Sequence, residues 1–382
     1  MESSWKQFEH LAGTAKLSES LGHSYLVSMK GNCTRLYRRI TGSQPTFRAN
    51  DEYLPPRLRT KPEPSDFVSR ECLTGRVPVT RYWGRERNYE LNGHRPAGIP
   101  VWLGYFDWVV GFEYGWADPS VPPRTVFCEP NYADRLTDFF NEASPLGQAD
   151  EHSLVVFGGS DAPLSAISGR CLRNIRSHFK DVYFEAYDEK RRGVRVMPIG
   201  LLEHYVRSNP DLVLQLALTL SREPNTTQDP RSVLAAWGAW WPGLDELIPD
   251  RRHARAFASS RDFVSHVSLS SDEWFEALTV FDYVMCPLGN GVQAPKLVEA
   301  VLMGSIPIVT EHPALIELEH RGFPLLMVQQ WNQLTPDLLW NEYNRLFDRV
   351  SDFRLKLLDL NEWWKFSFPG QPQEPLPQWL GA

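Results

Sequence analysis

The chain has 382 residues, 42% of them hydrophobic and 23% charged, a balance that supports a sizeable core and excludes general disorder. A net charge of −7 argues against a sequence-independent nucleic-acid binder, which carries a strong basic excess. Five scattered cysteines (Cys33, Cys72, Cys128, Cys171, Cys286) form no CxxC or Cys/His cluster, so neither a zinc site nor a disulfide framework is implied.

The N-terminal stretch MESSWKQFEHLAGTAKL is polar and lacks the apolar core of a signal peptide. No run of about 18 apolar residues occurs, so no membrane span is expected. The chain reads as soluble, with the cytoplasm favoured and a secretory lumen as the alternative if an anchor lies upstream. Residues 38 to 98 are rich in Pro, Arg and Gly and read as irregular, so 1–98 is assigned to an N-terminal segment packed on the first domain. Its alternative role is a lid or acceptor-binding insertion.

From residue 99 short apolar runs alternate with helical periods. The series predicts a buried strand at IPVWLGYFDWVV (99–110), a helix from Asn131 through Phe140, and a strand at SLVVFGG (153–159). A helix around Ser165 to His178 follows, then strands at DVYFEAY (181–187) and VRVMPIG (194–200). A polar break with two prolines at 218–232 makes a natural domain joint near 222–230.

A second series predicts a strand at VLAAWGAW (233–240), a helix from Pro249 to Ser259 carrying Arg251, Arg252 and Arg255, and a strand at FVSHVSL (263–269). SSDEWFEALTVF opens on a Ser/Asp cap and makes a helix. Strand YVMCPLG, helix APKLVEAVLMG, strand SIPIVTE, helix HPALIELEHRG and strand PLLMVQQW complete it. From Pro336 the chain is helical, with Leu339, Tyr343, Leu346, Phe347, Val350 and Phe353 on one stripe, and the tail is Pro-rich. The expected fold is α/β: two Rossmann-like domains with parallel sheets, an acceptor-side domain at 99–222 and a nucleotide-binding domain at 231–335, with helices and tail over 336–382. Ligands of such sheets sit beyond the carboxyl ends of the strands, so the active site is expected in the cleft between them.

The segment Pro287-Leu288-Gly289-Asn290-Gly291 joins a buried strand to a helix. Two glycines flanking Asn permit a tight turn of positive φ with uncovered amides, and a helix N-terminus beyond it suits a phosphate. Lys296 in the first turns is placed to reach a diphosphate. Glu299, three residues on and on nearly the same face, is placed to accept both ribose hydroxyls of a nucleotide. The bland alternatives are a plain strand-to-helix turn and an exposed ion pair. Fourteen Trp are compatible with sugar stacking, although core packing explains Trp more often.

The whole stretch from Tyr283 to Thr310 resembles the donor-binding motif of exostosin-like glycosyltransferases: a strand ending in CPxGNG, a helix with a basic residue and Glu, then GxIPIV. Cys286, Pro287, Gly289, Asn290, Gly291, Lys296, Glu299, Gly304, Ile306, Pro307, Ile308 and Val309 stand in that order. PLLMVQQWNQLTPDLL, FGGSD (157–161), MPIGLLEHY (197–205) and the Arg-bearing segment 233–255 are similar to further parts of the family, over about 150 to 340. The chain departs from the pattern at Lys296, where Arg is usual, and at Gln293-Ala294-Pro295, where Asp-x-His is common. Lys keeps the charge but loses the bidentate fork.

The resemblance implies a two-domain transferase of the GT-B type. Its donor would be a nucleotide sugar and its acceptor a hydroxyl of a glycan or another molecule. The chain has no Asp-x-Asp and no HxxxH or HExxH, so neither metal nor cofactor is expected. Lys296, helped by Arg252 or Arg255, would neutralise the leaving diphosphate. Gly291 occupies the position, eight before Glu299, where many retaining enzymes carry Glu; inversion is therefore favoured. Inversion needs a general base, for which Asp161 and then Glu203 are the candidates. Asp161 also reads as a helix cap. A catalytically lapsed relative that binds a glycan or nucleotide sugar is the alternative function.

Overall fold

The computed structural model describes residues 79–81, 102–111, 123–142, 153–202, 232–237, 248–289, 291–357 and 359–372. The segment 1–98 lies outside them except for strand β1 (Val79–Arg81), and so does the whole joint at 222–230. Among the described residues no helix is long and apolar enough to cross a membrane.

The first sheet consists of β2 (Trp108–Val110), β3 (Thr125–Cys128), β4 (Leu154–Phe157), β5 (Asp181–Phe184) and β6 (Arg195–Val196), parallel and in that spatial order. Its central strands are continuous apolar runs with both faces buried, as a covered parallel sheet requires. The crossover helices α1 (Ala133–Glu142) and α2 (Gly169–His178) pack on each other. Phe140 of α1 stacks on Trp108 at 5.6 Å and meets Phe179 edge-on at 5.2 Å. Ser168 starts α2 by accepting the Cys171 N–H at 3.1 Å. Strand β7 (Leu201–Leu202) pairs in parallel with β1.

The predicted strand 99–110 is corrected. Among its described residues, 102–110, only the last three pair, because the Asp107 carboxylate takes the N–H groups of Arg124 (2.7 Å) and Thr125 (3.0 Å) and fixes where β3 meets it. Upstream, Leu103–Tyr105 is a single 3₁₀ turn that points Trp102 and Phe106 into the core.

The second sheet is built from β8 (Val233–Ala235), β9 (Val264–His266), β10 (Tyr283–Met285), β11 (Ile306–Thr310) and β12 (Leu326–Val328). Its spatial order is β9-β8-β10-β11-β12, all parallel. The crossovers are α3 (Pro249–Ala258), α4 (Ser271–Leu278), α5 (Lys296–Leu302) and α6 (Pro313–His320). The Ser cap expected at SSDE is present, and Ser270 and Glu273 extend it into a capping box. Helix α7 (Pro336–Leu357) buries the whole predicted stripe, and the Tyr283 hydroxyl donates to the Leu339 carbonyl at 2.7 Å.

The chain then returns to the first sheet. Helix α8 (Leu360–Ser367) places Trp364 5.7 Å from Trp102 and 5.5 Å from Phe106, while Phe368 meets Tyr183 at 5.0 Å. These aromatic packings cover the first sheet, and Phe366 of the same helix meets Phe323 of the second unit at 6.1 Å, so α8 contacts both.

A second tie is polar. Edge strand β6 has no sixth neighbour among the described strands, and α6 covers it with side chains. Glu317 Oε1 accepts the Val196 N–H at 3.1 Å, and Arg321 Nη2 donates to the Val196 carbonyl at 2.6 Å. The two side chains also pair with each other, so one ion pair imitates the rung of a missing strand. Beside it, Gln293 is buried to 1% exposure. Its Nε2 donates to the carbonyls of Glu185 (2.7 Å) and Met197 (2.8 Å), and its Oε1 accepts the Ile199 N–H (2.9 Å).

Removing the Gln293 amide leaves the Met197 carbonyl and the Ile199 N–H unpaired, at about 1–3 kcal/mol each, while the Glu185 carbonyl keeps the Tyr187 N–H at 2.9 Å. Gln293→Ala is therefore expected to destabilise the fold by about 2 kcal/mol or more in urea unfolding. Gln293→Glu should be worse, because its second oxygen would face two carbonyls. Wild-type stability in Gln293→Ala would contradict this bridge.

Candidate functional site

In the second sheet the chain leaves β8 toward β9 on one side and continues through β10 to β12 on the other. Such a reversal opens a crevice at the carboxyl ends of the two strands that flank it, here β8 and β10. The glycine loop leaves β10 at that position. Cys286 is buried, and burial pushes its thiol well above the ordinary range, so it packs as a protonated group. The loop closes on itself: Gly289 and Val292 exchange N–H···O bonds, both 3.1 Å. The Gly289 amide, expected to be uncovered, is thereby used within the loop, as is the Val292 amide.

The positive φ is also elsewhere than expected. Val292, not Gly289, is left-handed at φ 69°. A β-branched residue pays steric strain there, and such strain persists only where the surroundings over-determine it. The neighbouring Gln293, locked by three bonds to the first unit, is that constraint. On the other side, Asp250 at the start of α3 fixes the loop's entrance. Its Oδ2 accepts the Leu288 N–H at 2.8 Å, and its Oδ1 accepts from the Thr310 hydroxyl (3.0 Å) and the Trp331 indole (2.7 Å).

Lys296 and Glu299 sit together in α5, with Trp274 of α4 as a third member. Glu299 is buried to 1% exposure; its Oε2 accepts the Trp274 indole N–H at 2.9 Å, while its Oε1 has no hydrogen-bond partner. Lys296 Nζ lies 3.5 Å from the centroid of the same indole, a cation–π contact. Desolvation raises the Glu299 pKa, opposed by Lys296 and by the Trp274 hydrogen bond. Desolvation likewise lowers the Lys296 pKa; Glu299 opposes the shift and Arg251 adds to it. Both groups are thus strained toward neutrality, and one carboxylate oxygen waits for a donor.

The facing edge of the first sheet presents Glu185 and the loop after β4. Glu185 is fully buried, and its Oε2 accepts the Gly159 N–H at 2.9 Å. Gly158 has to be glycine for this, since a Cβ would stand 2.8 Å from the same oxygen. Asp161 lies just beyond, exposed in a stretch outside any helix or strand. It caps no helix: Pro163 precedes the 3₁₀ turn and Ser168 precedes α2. From Asp161's loop, Gly159 leads to the Glu185 side chain, the Glu185 carbonyl to Gln293, and Gln293 to the glycine loop. His312 joins the same boundary. Its Nδ1 accepts the Ala314 N–H at 3.2 Å, and burial lowers its pKa while Asp188 of the first unit opposes the shift.

Of the residues proposed from sequence, Lys296 and Glu299 come together, while Gly289 and Gly291 lie in the loop that leads to their helix. Asn290 and Glu203 lie outside the described residues. Arg252 and Arg255 are exposed on α3, whereas Arg251 is half-buried and acts on Lys296. Trp274, Asp250, Glu185 and Arg251 are the residues sequence reasoning missed. An acid just after Pro249 in a helix's first turn was the available signal for Asp250. Among the described residues no group of three His, Cys, Asp or Glu stands ready for a metal ion.

No protein-family model and no curated protein sequence matches this chain. It is similar to a solved structure of UGT89C1 from Arabidopsis thaliana complexed with quercetin, at 8% identity and a TM-score of 0.30, over 66% of this chain and 73% of that one. A likeness of that size supports no conclusion about activity.

Two outcomes follow from this geometry. Asp250→Ala removes three charge-assisted hydrogen bonds and should cost about 2–4 kcal/mol in urea unfolding, with faster hydrogen exchange at Leu288. Glu299→Gln should change the pH dependence. A raised carboxyl pKa gives stability that is full below the unfolded value of about 4.3 and is lost as pH rises through the folded value. Glu299→Gln should flatten that loss, so its melting temperature should gain on wild type from about pH 4.3 upward. Parallel melting curves across that range would contradict an energetically strained Glu299.

Proposed function

We propose that this chain is a glycosyltransferase. It would move a sugar from a nucleotide-sugar donor to a hydroxyl of a glycan or another acceptor, with inversion and without a metal ion. The observation that carries the proposal is the buried, unpartnered Glu299 Oε1 beside Lys296 at the carboxyl edge of the second sheet. The exostosin-like order of residues from Tyr283 to Thr310 supports the same reading.

In this reading the ribose hydroxyls donate to Glu299 and satisfy the oxygen that the fold leaves unpaired. Lys296 leaves the Trp274 face for the diphosphate, with Arg251 as the nearer helper. The cations carry the phosphate charge, because the Gly289 and Val292 amides are already paired and α5 is short. Asp161 takes the proton of the acceptor hydroxyl as its oxygen bonds to the anomeric carbon, and the bond from that carbon to the diphosphate breaks.

A second reading, a binding protein without turnover, is favoured by one observation. Gln293 stands where Asp-x-His is common in the resembling family, and its amide is wholly used between the two units. It has no proton to exchange with a substrate.

Titration with a panel of nucleoside diphosphates and nucleotide sugars separates these readings. Lys296→Ala and Glu299→Ala should each weaken donor binding about tenfold or more. Asp161→Asn should keep binding and lower transfer by about 10²–10⁴. Equal donor binding by wild type and both site variants would sink the assignment. Donor binding without transfer or hydrolysis would favour the second reading.

A further inference from the structure

The first unit carries a concentration of positive charge on a chain whose net charge is −7. A cavity of about 430 Å³ opens between α2 and the loop joining β5 to β6. Its lining is largely cationic, with Arg173 and Arg176 on one wall and Lys190, Arg191 and Arg192 on the other. The volume falls within the roughly 300–1,000 Å³ of small-molecule sites. This trough shares no residue with the candidate donor site and stands independently of it.

Two of the five cations form its frame. Arg191 pairs with Glu189 and donates from Nη1 to the Ile167 carbonyl at 2.6 Å. Arg176 donates to the Arg192 carbonyl at 3.2 Å and lies over Gly193. Gly193 is left-handed at φ +73°, and a Cβ there would meet the Arg176 guanidinium carbon at 2.6 Å. The other three, Arg173, Lys190 and Arg192, are exposed, and no carboxylate among the described residues pairs with them. Like charges gathered around one concavity repel each other, and a bound anion removes that cost.

The lining also narrows the ligand. Guanidinium forks match phosphoryl oxygens, and two facing walls suit a ligand with charge on more than one side. No aromatic ring lines the trough, so it offers no platform for nucleobases. Its apolar members, Leu172 and Val194, are buried rather than presented to a bilayer. We propose that this trough binds an oligophosphate, a soluble ligand of two or more linked phosphoryl groups.

Calorimetric titration of the full chain with inorganic tripolyphosphate tests this. The affinity should fall about tenfold or more in Arg173→Glu/Arg192→Glu, weaken with added salt, and show the same dependence on the trough residues in a Lys296→Ala background. Lys190→Gln/Arg192→Gln, which removes charge without reversing it, should show a smaller loss and serves if the first variant fails to fold. Unchanged affinity in a folded trough variant would overturn the proposal. So would loss of binding in Lys296→Ala, which would place the ligand in the donor site. Tighter binding of single-stranded DNA or anionic vesicles through the same residues would overturn the ligand class.

Discussion

Three hydrogen bonds to one buried amide hold the two halves of this protein in register. Gln293 belongs to the loop that leaves the second sheet, yet its partners are the Glu185 and Met197 carbonyls and the Ile199 N–H of the first unit. A buried amide with every partner in place is directional in a way that apolar packing is not. It fixes the strained Val292 beside it, and through Glu185 it is wired to the Gly158-Gly159 turn that leads to Asp161. The glycine loop after β10 and the loop after β4 are therefore parts of one constrained assembly. The Glu317–Arg321 pair on β6 and the α8 aromatic cluster close the same boundary around it.

That constraint explains why the site tolerates unfavourable local chemistry. A left-handed valine, a desolvated lysine and a carboxylate with one unpaired oxygen each cost stability, and they gather within Val292 to Glu299. Strain of this kind persists when surrounding contacts hold it, and it concentrates where a ligand will relieve it. The Lys296–Trp274–Glu299 arrangement has that character: a ligand offering hydroxyls and negative charge would satisfy both ionisable groups at once.

Sequence periodicity was enough to predict two parallel sheets, because buried βα units write their period into local composition. All the segments read as strands of the second series carry strands, and the α7 stripe is buried residue for residue. Strand ends were less legible. DVYFEAY ends as a strand at Phe184 because the Tyr187 and Asp188 N–H groups turn back onto the Glu185 and Ala186 carbonyls. The run 99–110 breaks because Asp107 holds the start of β3 and the aromatics before it serve α8. Within the site, Gly289 to Glu299 was visible as one contiguous motif. Trp274, Asp250, Arg251 and the role of Gln293 were not, since each acts on residues 25 or more positions away or across the boundary between the units.

Because Gln293 joins the glycine loop to the loop after β4, the two are expected to respond together to a bound nucleotide. Hydrogen exchange with and without a saturating nucleoside diphosphate measures this most directly. The account predicts slower exchange over residues 286–299 and, through Glu185, over residues 158–162, with the second effect lost in Gln293→Ala. Protection at neither loop, or at the second loop regardless of Gln293, would contradict it.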